Sequence, residues 1–336
     1  MRRIEAGMTG MFQRVLELLI LAYMLGNGIG ANAQDVIPET SIPDQHSVPA
    51  YGSNEIKHLM KFIPVGHCMP SEFRETGENV ITDPTGSLNP FWAKLSVLDR
   101  PLRIVHIGDS HVRGHVFPYI MRLCLEDDFG GDAVEHIPVT YNSSGIADET
   151  GENGIIYDIV GVNGATCSSY STPERLREIS DLRPDLIIVS FGTNEAHARN
   201  YTPWEHTAAM NHLIKSLKSD CPEAAFLLTT PPGAYVRMGR RGRIINPRTA
   251  LVVNNELEFA RDNDLAVWDM YNIVGGKRRA CLNWNSGHYF QRDKIHFTHE
   301  GYKVQGLLFH EAFIKAYNQY VGDRMAVSYT HLRAHE

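Results

Sequence analysis

Short apolar runs alternate with amphipathic stretches along most of the chain. Arg103-Ile-Val-His-Ile107 is an apolar run that stops at Gly108-Asp109, the pattern of a buried strand. Val112–Leu125 follows with apolar residues at helical spacing, and Ile155–Val162 reads as a strand. Pro173–Ile179 is a helix with proline at its first position and Glu174 in its first turn. Leu186-Ile-Ile-Val-Ser-Phe191 is the strongest strand of all. Trp204–Lys218 is helical, Ala225–Thr229 a strand, Pro247–Arg261 a helix and Leu265–Trp268 a strand. Thr298–Tyr320 closes the series as a long helix with Thr298 as its N-cap. Such alternation predicts an α/β fold, a three-layer α/β/α sandwich around a mostly parallel, doubly wound sheet. In such sheets sites form at the C-terminal strand ends.

The flanks break this rhythm. Arg2, Arg3 and Arg14 precede the apolar run Val15–Leu25, and small residues lead on to Ala31-Asn-Ala33. That is the order of a secretory signal peptide over residues 1–33, cut after Ala33. Glu17 interrupts the run, and an uncleaved anchor is the competing reading. The run is 11 residues long, short of the roughly 20 that a spanning helix needs. No later segment is apolar enough, so no membrane span is expected once the signal is cut. Residues 34–90 are rich in Pro, Ser, Thr and Asn and read as an extended lead-in with one short helix at Asn54–Phe62. The main domain is expected over 91–322. Asp323–Glu336 carries no pattern and reads as an unstructured tail, its end resembling translated adapter read-through.

Composition narrows the classes. The chain has 336 residues, 43% hydrophobic and 21% charged, which excludes disorder, collagen and coiled coil for its bulk. A net charge of −7 leaves no basic excess for a nucleic-acid partner. The five cysteines, Cys68, Cys124, Cys167, Cys221 and Cys281, form no CxxC and read as small buried hydrophobes with one pair at most. No phosphate-cradling GxxxxGK[ST], no GxGxxG after a strand, no HExxH and no GxSxG occurs. His111 and His115, four apart on one predicted helix, lack a third ligand nearby, so hydrogen-bonded histidines are preferred there to a metal pair.

Four short segments fall at predicted strand ends or just before the last helix. Ser110, in Gly108-Asp-Ser-His111, stands between a buried strand and a helix start, where a forming oxyanion is stabilised. By itself it equally fits an N-cap serine. Gly164, in Gly161-Val-Asn-Gly-Ala-Thr166, lets backbone N–H approach a ligand, or simply makes a turn. Asn194, in Phe191-Gly-Thr-Asn194-Glu195, presents a side-chain N–H at the sheet edge, or is a turn residue. In Asp293-Lys-Ile-His296 the spacing lets the carboxylate accept from one imidazole nitrogen and leave the other free, as a general base requires.

Together these segments resemble the blocks of the SGNH (GDSL) hydrolase superfamily, whose fold is SGNH/flavodoxin-like. Further segments, Thr229-Thr-Pro-Pro232, Trp268-Asp269, Gly275-Gly276 and His296-Phe-Thr-x-x-Gly-Tyr302 with Gln305-Gly306, look like an exported bacterial branch that includes the peptidoglycan O-acetylesterases. The resemblance covers about Phe91 to Tyr320. Some relatives insert a β-sandwich module between the first two blocks; here only 53 residues run from His111 to Gly164, too few for one.

The resemblance implies an exported serine esterase, periplasmic or extracellular, acting on O-acyl, foremost O-acetyl, esters of cell-wall or other polysaccharide. Its implied catalytic residues are Ser110, His296 and Asp293, with Ser110, Gly164 and Asn194 forming the oxyanion hole and no cofactor or metal. The implied partner is an O-acetylated polysaccharide or a small ester. A lipase or general acyl-esterase of the same fold, and a non-catalytic glycan-binding protein, are the alternatives. Arg237, Arg240, Arg241 and Arg243, and Lys277-Arg278-Arg279, read as solvated loop charges unless their loops face the site.

Overall fold

A computed structural model describes residues 61–135, 145–239 and 242–333, with 326–333 as backbone alone. The signal pattern, most of the Asn54–Phe62 helix, Arg240 and Arg241 lie outside the described residues. Residues 61–62 are not helical.

Five parallel strands form the centre: β2 (Leu102–Gly108), β3 (Ile155–Gly161), β4 (Leu186–Ser190), β5 (Ala225–Thr229) and β8 (Ala266–Trp268). The two-residue β1 (Ile81–Thr82) adds an antiparallel edge, giving the order β1-β8-β5-β4-β2-β3. β2 to β5 are buried throughout except at the last residue of β3, so they read as near-continuous apolar runs, as doubly covered parallel strands do. The chain leaves β2 toward β3 and then returns to the other side of β2 for β4. The order therefore reverses around β2, and the site of a doubly wound sheet is expected at the strand ends there.

Alternate strand residues feed two cores. Ile104, Tyr157, Ile188 and Leu227 pack with Phe91 and Leu95 of α1 (Asn89–Val97), Phe117 and Met121 of α3 (Val116–Phe129), Trp284 of α10 (Gly276–Ser286) and Phe309 and Phe313 of α11 (His299–Arg333). Val105, Ile107, Val189 and Leu228 pack on the other face with Leu176 and Ile179 of α5 (Pro173–Asp181), Leu213 and Leu217 of α7 (Pro203–Asp220) and Phe259 of α8 (Pro247–Asp262). The fold is thus the expected three-layer sandwich.

Three local expectations differ. Val112–Leu125 is not one helix: α2 (Ser110–Arg113) ends at Gly114, His115 takes φ 67°, and α3 begins at Val116. His111 and His115 therefore do not share a helix face. The last helix, which Thr298 caps by accepting from Gly301 N–H at 3.1 Å, runs on to Arg333 through residues whose pattern predicts no structure. The lead-in is docked as well as extended from Phe62 on, since Ile63, Phe73 and Leu88 are core residues. The five cysteines form no disulfide, and four of them are buried.

Candidate active site

The three strands flanking the reversal each end in one of the singled-out segments. β2 ends at Gly108, where an added Cβ would come within 2.4 Å of the Ser190 carbonyl oxygen of β4. Only glycine lets the two strands close up there. Asp109 then turns the chain and caps α2 by accepting from His111 N–H at 2.8 Å. Ser110 follows as the first residue of α2, where a backbone N–H has no intrahelical acceptor. After β3, Gly164 takes φ 74°, a left-handed conformation that turns its loop at low cost. After β4, α6 (Thr193–His197) carries Asn194 in its first turn.

The fourth segment arrives from the far end of the chain. Ser110 Oγ lies 2.9 Å from His296 Nε2, and His296 Nδ1 lies 2.7 Å from Asp293 Oδ2. The other Asp293 oxygen accepts the backbone N–H groups of Ile295 and His296 at 2.9 and 3.0 Å. Partial burial pushes the Asp293 carboxyl up, but the bond to His296 and these two N–H groups outweigh it, holding it below the usual carboxylate range. Lys294, at φ 60°, makes the tight turn between them. That turn is held from the side: its carbonyl accepts Tyr235 N–H at 2.9 Å from the hairpin β6 (Tyr235–Arg237) and β7 (Arg243–Ile245).

A pocket of about 810 Å³ opens over these groups. Ser110, Gly164, Asn194 and His296 line it, with Asn163, His197, Gln291 and His299 as further polar walls and Val116, Ile295 and Phe297 as apolar ones. All the sequence-predicted residues meet here except Asp293, which stands behind His296. Asn194 is already engaged: its Nδ2 donates to the Ala165 carbonyl at 2.9 Å and to Asp109 Oδ2 at 3.3 Å.

Two residues have roles that the spacing alone did not reveal. Asp109 links the Ser110 turn to Asn194, and burial, aided by the charge of Glu195, pushes its carboxyl up to about 8 against the His111 N–H bond. Its place just before a helix start was the available signal. His111 packs against His296 with ring centroids 5.4 Å apart, and its Nδ1 meets the Tyr302 hydroxyl at 2.9 Å. Burial, with the neighbouring His296 charge adding to it, lowers His111 to about 3, so the ring behind His296 stays neutral. Of the basic clusters, Arg237 and Arg243 face each other across the hairpin, and Arg279 pairs with Glu75.

The profile of the GDSL-like lipase/acylhydrolase family matches residues 107–304. No curated protein sequence matches the chain closely enough to count as a relative. Among solved structures, a peptidoglycan O-acetylesterase superposes with a TM-score of 0.60 at 18% identity, over 71% of this chain and 99% of its own. A lipase/acylhydrolase from Enterococcus faecalis gives 0.44 at 22% identity over 65% and 96%. An acetyl xylan esterase gives 0.43 at 16% over 68% and 99%. The first of these likenesses speaks to the fold. The family profile spans more than half of the chain, from the end of β2 through the Asp293–His296 turn into α11, and so this protein belongs to the GDSL-like lipase/acylhydrolase family of ester hydrolases.

Proposed function

We propose that the chain is an exported serine esterase that removes O-acyl groups, foremost O-acetyl, from cell-wall or other polysaccharide. The observation that carries the reading is the unbroken series Ser110 Oγ, His296 Nε2, His296 Nδ1, Asp293 Oδ2, with steps of 2.9 and 2.7 Å, its Ser110 and His296 members lining the pocket.

Ser110 Oγ attacks the ester carbonyl while His296 Nε2 takes its proton. Asp293 fixes the ring and stabilises the imidazolium that forms. The backbone N–H groups of Ser110 and Gly164 and one N–H of Asn194 receive the oxyanion. Asn194 supplies its N–H by giving up the longer of its two bonds, the one to Asp109. The tetrahedral intermediate collapses, the C–O bond to the sugar breaks, and His296 returns the proton to the departing hydroxyl. Water then attacks the acyl-serine by the same route, releasing the acid and restoring Ser110.

The acetyl preference and the glycan are supported by the branch-like motifs and by the shared fold of a peptidoglycan O-acetylesterase. Export rests on the Val15–Leu25 run and Ala31-Asn-Ala33. A second reading, a general acyl-esterase or lipase, is favoured by the pocket itself: about 810 Å³ with Val116, Ile295 and Phe297 on its walls has room for a longer chain.

Acetate release from O-acetylated peptidoglycan and xylan, beside p-nitrophenyl esters from acetate to octanoate, separates the readings. The proposal expects acetate to give the highest kcat/KM, with a fall by butyrate. A lipase groove gains about 0.8 kcal/mol per buried methylene and slopes the other way. Octanoate preferred at matched solubility replaces the first reading by the second. A folded chain that binds glycan but turns over no ester is a glycan-binding protein.

A further inference from the structure

Behind Gly164 and Asn194, four side chains with metal-binding chemistry meet out of solvent. Cys167 opens α4 (Cys167–Tyr170), Glu195 lies on α6, His206 on α7 and Glu256 on α8. Their exposures are 2, 7, 4 and 4%. Cys167 Sγ, a Glu195 carboxylate oxygen and a His206 ring nitrogen all lie within 4.8 Å of one another, the one such group among the described residues. His206 Nε2 stands 3.9 Å from both Glu195 Oε1 and Glu256 Oε1. It has no hydrogen-bond partner, and neither has Glu256 Oε2. A void of about 10 Å³ touches Cys167 and Glu256 but is otherwise walled by core residues such as Val189, Phe191 and Leu213, so the ion would sit between the ligand atoms themselves.

Buried polar atoms without partners are expensive, and each needs a reason. A cation placed among them would satisfy His206 Nε2 and Glu256 Oε2, the two atoms of this cluster that have no partner. We propose that Cys167, Glu195 and His206, with Glu256 in the fourth position, form a structural site for one divalent transition-metal ion, zinc by its donor set. Mixed sulfur, nitrogen and oxygen donors suit zinc, whereas calcium and magnesium take oxygen alone. Zinc bond lengths set tetrahedral ligand atoms about 3.4–3.6 Å apart, so the 3.9 Å separations of His206 from the two glutamates close by a few tenths of an ångström, whereas the thiol, within 4.8 Å of the other two ligand atoms, can have farther to move. The Tyr201 hydroxyl, 3.3 Å from His206 Nδ1, and the Asn255 side-chain amide, 3.4 Å from it, both face that nitrogen; binding through Nε2 places the ring proton on Nδ1, with the Tyr201 hydroxyl as its acceptor. Glu195 keeps its two backbone donors, Cys167 N–H at 2.8 Å and Gly192 N–H at 3.0 Å, and still has lone pairs to offer. Such an ion joins four helices, among them α6, which carries Asn194, and α4, which follows the Gly164 loop.

The test needs no substrate, so its outcome is independent of the esterase reading. The full chain is expressed in zinc-supplemented medium, desalted, and its metal content measured by mass spectrometry. The expected result is about one zinc per chain, with occupancy falling at least about tenfold in Cys167→Ser and in His206→Gln. Ser110→Ala and His296→Ala are expected to keep their zinc, which sets this site apart from the pocket histidines. Cobalt(II) introduced in place of zinc is expected to show a thiolate-to-cobalt charge-transfer band in the native chain. Should the cysteine variant fail to fold, that band decides. Less than about a tenth of an equivalent of zinc against the full site expected for a structural zinc, zinc fully retained in Cys167→Ser, or bound cobalt without the thiolate band, each overturns the proposal.

Discussion

Asn194 enters the resting site with both N–H bonds spent, one on the Ala165 carbonyl and one on Asp109. On the proposed mechanism only the longer of the two has to yield when an oxyanion forms. Asn194→Ala is expected to lower kcat by about 10²–10³-fold, the usual cost of one oxyanion donor, and by the same factor for acetate and octanoate esters. A loss confined to one ester would make Asn194 a substrate-recognition residue instead. Ser110, His296, Asp293, Gly164 and Asn194 stood out in the sequence through their joint occurrence and their resemblance to one superfamily's blocks, each segment alone fitting a cap, a turn or a surface residue as well. Asp109 and His111 were not, although they adjoin Ser110, because their partners Asn194 and Tyr302 are remote in sequence and only the fold brings them near.

Among the elements, the sheet holds a polar chain that no strand pattern announces. His106 of β2 meets the Tyr157 hydroxyl of β3 at 2.9 Å and Ser190 Oγ of β4 at 2.7 Å, and Ser190 meets Thr229 Oγ1 of β5 at 2.6 Å. Burial lowers His106 to about 3, so the folded chain keeps it neutral down to that pH. The unfolded chain protonates it through the reference value of about 6.5. The unfolded state then binds more protons, and the stability that the neutral ring contributes is present above about 6.5 and lost as pH falls toward about 3. His106→Gln lacks this titration. Its destabilisation relative to the native chain, measured by urea unfolding, is expected to be smaller at about pH 5 than at pH 7.5 by about 2 kcal/mol. An unchanged difference would mean that His106 is charged in the fold.

Helix boundaries follow the same lesson. Apolar spacing alone carried one helix across Gly114-His115, yet Pro118 belongs in a first turn and marks the fresh start at Val116. The hairpin β6–β7 and α10 escaped because Arg237, Arg243, Lys277 and Arg278 give them polar faces, and Arg278 at φ 68° departs from helical geometry altogether.

For the whole molecule, the alternation of strands and helices was legible from Arg103 onward, because doubly covered strands write themselves as apolar runs. The segment before it was not, since its docking is made by isolated residues without a period. Ile63, Phe73 and Leu88 are 3, 5 and 0% exposed, and Trp268 Nε1 donates to Asn79 Oδ1 at 3.0 Å. Each buried side chain of this size is worth about 1.5–3 kcal/mol. A chain begun at Phe91 is expected to melt well below one begun at residue 61, or to aggregate. Equal melting temperatures would show the segment to be dispensable.

The central claim is that Ser110 is the nucleophile of an esterase. Its most direct test is the turnover of p-nitrophenyl acetate by Ser110→Ala, with near-UV circular dichroism showing an intact fold. A loss of roughly 10³-fold or more, scarcely deepened by adding His296→Ala, is expected because such residues act as a unit. Retention of more than about a tenth of native turnover, where triads lose about 10³-fold, would contradict it.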